Sequence, residues 1–182
     1  YAGNLGNSLK ISTCESSNAY SASISGNSDV TMTFSFTRNS RTVVVTAESA
    51  TSNTNANTML NSVLGQINVG DYLQTGNSAL GIQNIKVNSK SSIDSSAANS
   101  TYYARTANVE LYTTYNLAED IDLSSVTRYW EYFNFVDAAP GTSVFTTDRG
   151  GIGDELHIVV VDEGGMFTGT TGQVLEVWNN VS

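Results

Sequence analysis

The stretch that decides the fold is Asp154-Glu155-Leu156-His157-Ile158-Val159-Val160-Val161-Asp162. Its apolar run from Leu156 to Val161 is nearly unbroken, which predicts a β-strand that is covered on both faces. Alternation then places Leu156, Ile158 and Val160 on one face and Val159 and Val161 on the other. The glycines of Gly150-Gly151-Ile152-Gly153 mark a turn just before this strand.

The rest of the last third extends this pattern. Trp130–Asp137 is aromatic and apolar, which predicts a second strand before the glycine turn. After the central strand, Val174, Leu175, Val177 and Trp178 have helical spacing, so a short helix is expected over Thr171–Val181 with Thr171 as its cap.

The sequence before residue 48 mainly predicts β-strands. Residues 8–15 predict a half-buried strand that carries Leu9, Ile11 and, less strictly, Cys14. Val30–Thr37 alternates cleanly, with Val30, Met32, Phe34 and Phe36 on one face. The turn Arg38–Arg41 leads to a return strand at Thr42–Ala47, which predicts a β-hairpin.

The middle of the chain adds a short helix and further strands. Met59, Leu60, Val63 and Leu64 have helical spacing and end at Gly65. Gly70 and Asp71 suit a turn into a strand at Tyr72, and more strands are expected at Leu80–Val87 and Thr101–Tyr115.

The predicted fold class is therefore α+β and β-rich. Residues 28–116 are expected to form a small all-β meander or barrel of roughly five strands. Polar residues 16–28 and the acidic segment 117–126 bracket this block. We interpret it as a domain inserted in an outer domain, 1–27 and 117–182, which has an antiparallel or mixed sheet and a flanking helix.

The composition excludes several classes of protein. The chain has 182 residues and a net charge of −9, and its eight basic residues are scattered, which argues against a nucleic-acid surface. The sequence contains no run of eighteen apolar residues, which is the pattern that would predict a membrane span. The chain begins with Tyr1 and has no signal region, so we interpret it as a piece of a longer polypeptide.

Cys14 and His157 are the only cysteine and the only histidine. A single cysteine can form no internal disulfide and gives no metal-binding spacing, so Cys14 is interpreted as a small buried residue on a strand. His157 lies inside the central strand and is interpreted as a side chain on its polar or cross-strand face. The two residues could form a nucleophile–base pair in space, but nothing in their sequence context favours it.

Acidic residues supply the remaining candidate chemistry. Asp120, Asp122, Asp154, Glu155, Asp162 and Glu163 could provide paired carboxylates for glycoside hydrolysis. Carboxylates at strand ends more often bond turn amides, which is the reading favoured here. Asp162-Glu163-Gly164-Gly165 lacks a calcium-loop pattern, and Gly150–Gly153 lacks the Lys-Ser/Thr of a phosphate loop. We therefore predict no catalytic residue, no cofactor site and no metal site.

Two further patterns have a simple interpretation. The aromatic residues of 129–135 could bind sugar or polyproline, but aromatic residues in a strand more often pack in a core. Asn99-Ser100-Thr101 and Asn180-Val181-Ser182 match the N-glycosylation acceptor, as Asn-rich chains do by chance.

A family resemblance connects the two ends of the chain. Ala2-Gly3-Asn4-Leu5-Gly6-Asn7-Ser8-Leu9-Lys10-Ile11 resembles the turn-then-strand segment of contractile (myovirus) phage tail sheath proteins, with Ala2 where that family has Pro. Residues 128–182 resemble a later part of the same proteins, including the closing Glu176–Ser182. The resemblance covers residues 1–15 and 128–182.

The resemblance implies a structural role in the virion. It implies a middle, outward-facing domain of a sheath that polymerises around the tail tube and contracts to drive genome delivery, without enzymatic activity or cofactor. The partners would be other sheath subunits, with the tube and baseplate bound through regions outside this chain. The site of action would be the phage tail, assembled in the host cytoplasm, and the isolated piece is expected to be monomeric. The alternative is a glycan-binding or adhesive β domain on a virion or cell surface.

Overall fold

A computed structural model describes residues 3–95 and 103–182. Ala2, Asn99–Thr101 and Tyr102, on which some sequence predictions rest, lie outside the described residues. The elements in chain order are α1 (Gly3–Gly6), β1 (Leu9–Cys14), α2 (Ser17–Tyr20), β2 (Ser21–Ser25), β3 (Val30–Phe36), β4 (Thr42–Ser49), α3 (Asn53–Gln66), β5 (Tyr72–Asn77), β6 (Gly81–Lys90), β7 (Tyr103–Leu111), β8 (Ile121–Leu123), β9 (Ser125–Tyr129), a 3₁₀ turn (Phe133–Phe135), α4 (Val144–Thr147), β10 (Leu156–Asp162) and β11 (Gln173–Val181).

The chain divides into two compact units. The larger unit is Ala22–Glu131, and the smaller unit combines Tyr1–Ser21 with Tyr132–Ser182. The larger unit holds an eight-stranded sheet in the order β2-β9-β5-β6-β7-β4-β3-β8. Only Ser124 separates β8 from β9, although these strands lie at or next to opposite edges of the sheet. Since one residue spans less than 4 Å, the sheet curls until its two ends approach each other.

The predicted hairpin is confirmed and forms the centre of the larger unit. β3 and β4 pair in antiparallel register, with Phe34 opposite Val45. Val30, Met32, Phe34 and Phe36 are all buried, as their alternation predicted. They belong to a core that extends from Ile24 to Val126.

The helix α3 lies against β4 and β7 and is longer than predicted. It begins in the Ser/Asn-rich segment, where the Ser52 hydroxyl accepts a hydrogen bond from the Asn55 amide at 3.1 Å. At its other end the Lys90 ammonium donates to the Leu64 carbonyl at 2.6 Å and to the Ile67 carbonyl. A strand residue thus places a cation at the negative end of the helix.

The larger unit extends beyond the boundaries expected from the sequence, 28 and 116. Residues 16–28 were expected to be a loop, but they contain α2 and β2. The acidic segment 117–126 contains β8 and the start of β9, and β8 pairs with β3 through Phe34 opposite Leu123. Backbone pairing therefore includes β2, β8 and β9 in the sheet, and Ile24, Ile121, Leu123 and Val126 from these segments pack in or against the core.

The smaller unit contains a three-stranded antiparallel sheet in the order β1-β10-β11. Strand β1 pairs with β10 from Leu9 opposite Asp162 to Cys14 opposite His157. The strands predicted at residues 8–15 and 155–161 are both present. The face that carries Cys14, His157, Val159 and Val161 is buried.

Coverage of the sheet differs from the prediction. On β10, Leu156, Ile158 and Val160 are only half-buried. On β1, Ile11 is 67% exposed, whereas Ser12 and Cys14 are buried. The apolar run of β10 is thus covered on one face within the described chain. The prediction of two covered faces was wrong for this unit.

Two element predictions in the last third were also wrong. Residues 173–181 form the strand β11, where Val159 pairs with Val177 and Ile158 with Trp178. Val174, Val177 and Val181 are β-branched and favour a strand once a partner strand is present. The predicted strand at Trp130–Asp137 is replaced by a 3₁₀ turn at Phe133–Phe135, since β9 ends at Tyr129. The predicted flanking helix is therefore absent from 171–181.

We predict that residues 22–131, expressed alone, unfold in one cooperative transition. The reason is that the whole hydrophobic core from Ile24 to Val126 lies within this unit. Urea unfolding followed by circular dichroism is the measurement. In the same piece, Phe34→Ala should lower the free energy of unfolding by about 3–5 kcal/mol. Ile82→Ala is the control, and it should lower that free energy far less because the Ile82 side chain is 58% exposed. A non-cooperative transition would refute the prediction.

Candidate interaction surface

The smaller unit exposes much of its apolar content. Among the described residues, ten large apolar side chains of this unit are exposed, against five in the larger unit. Contiguous exposed apolar surface on a protein usually marks an interaction site. The ten are Leu5, Ile11, Phe135, Val144, Phe145, Ile152, Met166, Phe167, Leu175 and Trp178.

One part of this surface is the uncovered face of the three-stranded sheet, which we call the open sheet face. It is formed by Ile11, Thr13, Ile158, Val160, Glu176 and Trp178. The register aligns them in two rows, with Ile11 and Glu176 on either side of Val160, and Thr13 and Trp178 on either side of Ile158. Trp178 is 54% exposed, and its indole N–H donates to the Glu176 carboxylate at 3.0 Å. The face thus carries four apolar side chains, one hydroxyl and one carboxylate.

A second part is the segment before β10, residues 141–153, which we call the Phe145 loop. Val144 is 77% exposed, Phe145 66% and Ile152 90%. The guanidinium of Arg149 lies 3.5 Å from the centroid of the Phe145 ring and donates to the Phe145 carbonyl at 2.9 Å. The loop thus presents apolar side chains with a cation beside them.

The carboxylate of Asp154 fixes the shape of the Phe145 loop. It accepts hydrogen bonds from the Ser143 amide at 2.8 Å, the Ser143 hydroxyl at 2.6 Å and the Thr146 hydroxyl at 2.6 Å. These bonds, with that of the Ser143 hydroxyl first, lower the pKa of Asp154 to about 2. An ionised carboxylate therefore holds the loop at neutral pH.

We predict that Asp154→Asn destabilises the protein at neutral pH and that the difference from wild type shrinks as the pH falls from about 4 to about 2. Because the pKa of Asp154 in the folded protein lies below 3.8, the usual value for an aspartate, the stabilisation is present above that value and is lost as the pH falls through about 2. Urea unfolding at a series of pH values measures this. Asp148→Asn, at an exposed carboxylate of the same loop, is the control and should change little. A pH-independent difference for Asp154→Asn would contradict the assignment.

Asp162 fixes a second loop in the same way, at residues 163–172 after β10. Its buried carboxylate accepts from the amides of Met166, Phe167 and Thr168 at 2.8–2.9 Å and from the Thr168 hydroxyl at 2.9 Å. Burial alone would raise the pKa of Asp162, but these hydrogen bonds outweigh it and lower the pKa. Met166 and Phe167 are held at the surface as a result, 63% and 49% exposed.

The structure brings Cys14 and His157 together, but not as a nucleophile and base. They are opposite each other in the β1–β10 register, and both are buried. The Nε2 atom of His157 lies 2.8 Å from the Ala138 carbonyl, and Nδ1 accepts from the Asn180 amide at 3.2 Å. The geometry therefore fits a neutral ring protonated on Nε2. Both ring nitrogens are occupied, so neither is placed to take the thiol proton, and the buried strand position predicted for Cys14 is confirmed.

We predict that His157→Ala is more destabilising than Ile158→Ala, because His157, which was expected on the polar or cross-strand face of its strand, is buried, whereas Ile158 is only half-buried. Removing the buried imidazole leaves a cavity and two unsatisfied backbone groups, which should cost about 2–4 kcal/mol. Ile158 lies half-buried on the open sheet face, so its loss should cost about 1 kcal/mol. Chemical denaturation of the two variants compares them directly. Equal losses would mean that the open sheet face is covered in solution.

The other predicted residues have mostly structural positions. Glu155 accepts from the Gly141 amide at 3.0 Å, and Asp120 accepts from the Arg38 amide at 2.7 Å. Asp122 and Glu163 are exposed. Within residues 3–95 and 103–182, no three His, Cys, Asp or Glu side chains lie close enough to hold a metal ion.

The prediction that the aromatic residues of 129–135 pack in a core is met by two of the five. Trp130 and Tyr132 are buried, and Phe135 is 52% exposed. Asn180 of the glycosylation match is exposed and has a φ of 50°, and its amide is used by His157.

A buried ion pair lies in the larger unit at the β5–β9 pairing. Arg128 Nε is 3.8 Å from the Asp71 carboxylate, and both side chains are almost fully buried. Asp71 also accepts from the Asn68 amide at 2.8 Å, which confirms its predicted role in the turn. Burial raises the pKa of Asp71 and is opposed by the Asn68 bond and the Arg128 charge. These side chains serve the fold and offer no open site.

The chain shows no significant match in three comparisons, with protein-family models, with curated proteins and with solved structures. In the part of the chain that the structure describes, no helix has the length and apolar character needed to cross a membrane.

Sequence reasoning missed most of the exposed apolar surface. Val144, Phe145, Ile152 and Met166 are isolated among Ser, Thr and Gly, so they follow neither the strand nor the helix period. The available signal was the presence of large apolar residues in segments otherwise composed of turn formers.

Proposed function

We propose that this chain is a non-enzymatic structural domain of a contractile tail sheath. In this proposal it acts in the virion, where the sheath polymerises around the tail tube and contracts to deliver the genome. Its partners are other sheath subunits, and contacts with tube and baseplate are made by regions outside this chain.

The organisation of the smaller unit supports this proposal. The resemblance to sheath proteins covers residues 1–15 and 128–182, and the smaller unit consists of 1–21 and 132–182. These two distant segments are joined directly, because β1 pairs with β10 along its whole length. The resembling segments therefore build one sheet, which is what a shared domain requires.

The observation that carries the proposal is the exposed apolar surface of the smaller unit. Ile11, Phe145 and Trp178 are each more than half exposed. Hydrogen bonds to Asp154 and Asp162 hold the neighbouring loops in fixed shapes. A fixed apolar surface suits permanent subunit contact, since little conformational entropy is lost when it is covered.

We predict that the full-length protein containing this chain, expressed alone, forms tubes or rings of uniform diameter. Negative-stain electron microscopy is the test. Subunits of a sheath carry their own lattice contacts, so no other virion protein should be needed. Single particles of uniform size that form no ring, tube or other repeating assembly at any salt concentration would refute the proposed function.

A second candidate function is glycan binding, which one observation favours. A groove of about 360 Å³ in the larger unit is lined by Asn27, Asp29, Val30, Asn55, Thr58, Met59 and Ser62. Amide and hydroxyl side chains of this kind bond sugar hydroxyls. A glycan array probed with the chain separates the two functions, and binding abolished by Asn55→Ala together with Thr58→Ala would favour the glycan function.

A further inference from the structure

We propose that the Phe145 loop of one copy of this chain docks on the open sheet face of the next copy, head to tail. This inference rests on the proposed function, in which many copies lie side by side. It names the two surfaces in contact and the residues that pair across it.

The two surfaces belong to different elements of the smaller unit. The Phe145 loop is held by Asp154, with Val144, Phe145 and Ile152 exposed at 66–90%. The open sheet face spans three strands. Both surfaces can be covered by one contact between two copies.

The two surfaces carry one pair of opposite charges, Arg149 and Glu176, and the exposed Asp148 beside Arg149 makes the net charge of the Phe145 loop zero. The smaller unit has two basic side chains, Lys10 and Arg149. Lys10 is half-buried and lies 5.6 Å from the Tyr132 ring centroid, whereas Arg149 is exposed on the Phe145 loop. The open sheet face carries the exposed Glu176 beside Trp178. Arg149 of one copy can thus meet a carboxylate and an indole of the next, which are the two partners a guanidinium prefers.

The net charge of the chain restricts where two copies can meet. The chain has a net charge of −9, so most of its surface repels an acidic neighbour. The Phe145 loop is the part of the smaller unit where an exposed cation lies among exposed apolar side chains. Docking it on Glu176 relieves that repulsion locally and fixes the orientation of the contact.

A contact between two different surfaces has a defined consequence for assembly. It uses one surface on each copy and leaves the other surface free, so it repeats without closing unless a rotation completes a ring. Rings and helical arrays are the products of such a contact. The individual contact is small, so we expect a dissociation constant of about 0.1–1 mM and a monomer at micromolar concentration.

The test uses sedimentation equilibrium of the chain up to about 1 mM, the upper end of the range expected for a small contact. Wild type should show an average mass that rises with concentration. Phe145→Ser removes the aromatic side chain of the Phe145 loop, and Trp178→Ser removes that of the open sheet face. Each variant alone should remain a monomer. An equimolar mixture of the two should form a one-to-one dimer and nothing larger, because one intact surface remains on each. Both residues are exposed, and circular dichroism and thermal unfolding check that the variants are folded.

A charge exchange gives an independent test of the pairing. Arg149→Glu and Glu176→Arg should each weaken association at least tenfold, and the double variant should recover most of it. Asp148→Asn removes the negative charge beside Arg149, so this variant should associate at least as strongly as wild type does. A wild-type mass that stays monomeric to about 1 mM overturns the proposal. So does association of Phe145→Ser alone or Trp178→Ser alone, since either would mean a contact between identical surfaces.

Failure of this inference is distinguishable from failure of the proposed function. If the full-length protein forms tubes and its Phe145→Ser and Trp178→Ser variants form the same tubes, the sheath role stands and this contact is refuted. If the full-length wild type forms no tubes, the sheath role fails.

Discussion

The pairing of β1 with β10 is the interaction on which the rest of the smaller unit depends. It joins residues 9–14 to residues 156–162, so it closes a loop that contains the whole larger unit. The larger unit removes most of the entropy cost of closing this loop, because β2 and β9 are neighbours in its sheet and bring residues 21–25 and 125–129 together. The buried row of Cys14, His157, Val159 and Val161 supplies apolar contact that favours the remaining closure.

Strand β10 also organises the two apolar loops, because an aspartate stands near each of its ends. Asp154 lies two residues before the strand and Asp162 is its last residue. Each carboxylate accepts several hydrogen bonds from loop amides and hydroxyls, which would otherwise bond water. The loops therefore take their shape from the strand and not from a core of their own. Phe145 and Met166 remain exposed in these loops, at 66% and 63%.

The sequence predicted correctly those elements whose pattern of residues does not depend on a distant partner strand. The alternation of Val30 to Phe36 determines both the strand and its buried face, and the turn role of Asp71 follows from its short side chain. Residues 173–181 were misassigned as a helix because Val174, Leu175, Val177 and Trp178 fit the helical period, while the partner strand that overrides it is distant in the chain. The same limit applies to the candidate site. Whether Ile11 or Trp178 is covered depends on what packs on the sheet, and no local pattern encodes it.

The route of the chain through the three-stranded sheet has a mechanical consequence. The chain enters the sheet at Leu9, opposite Asp162, and leaves it at Val181, opposite Leu156, so entry and exit are at opposite ends. A pull between these two points loads the backbone hydrogen bonds of β1, β10 and β11 in shear, with many bonds sharing the force at once. The larger unit lies between β1 and β10 in sequence and stays outside the path of the load while those bonds hold. Tension applied through the neighbouring chain segments would thus be carried by some twenty residues, and the curled eight-stranded sheet would remain unstressed.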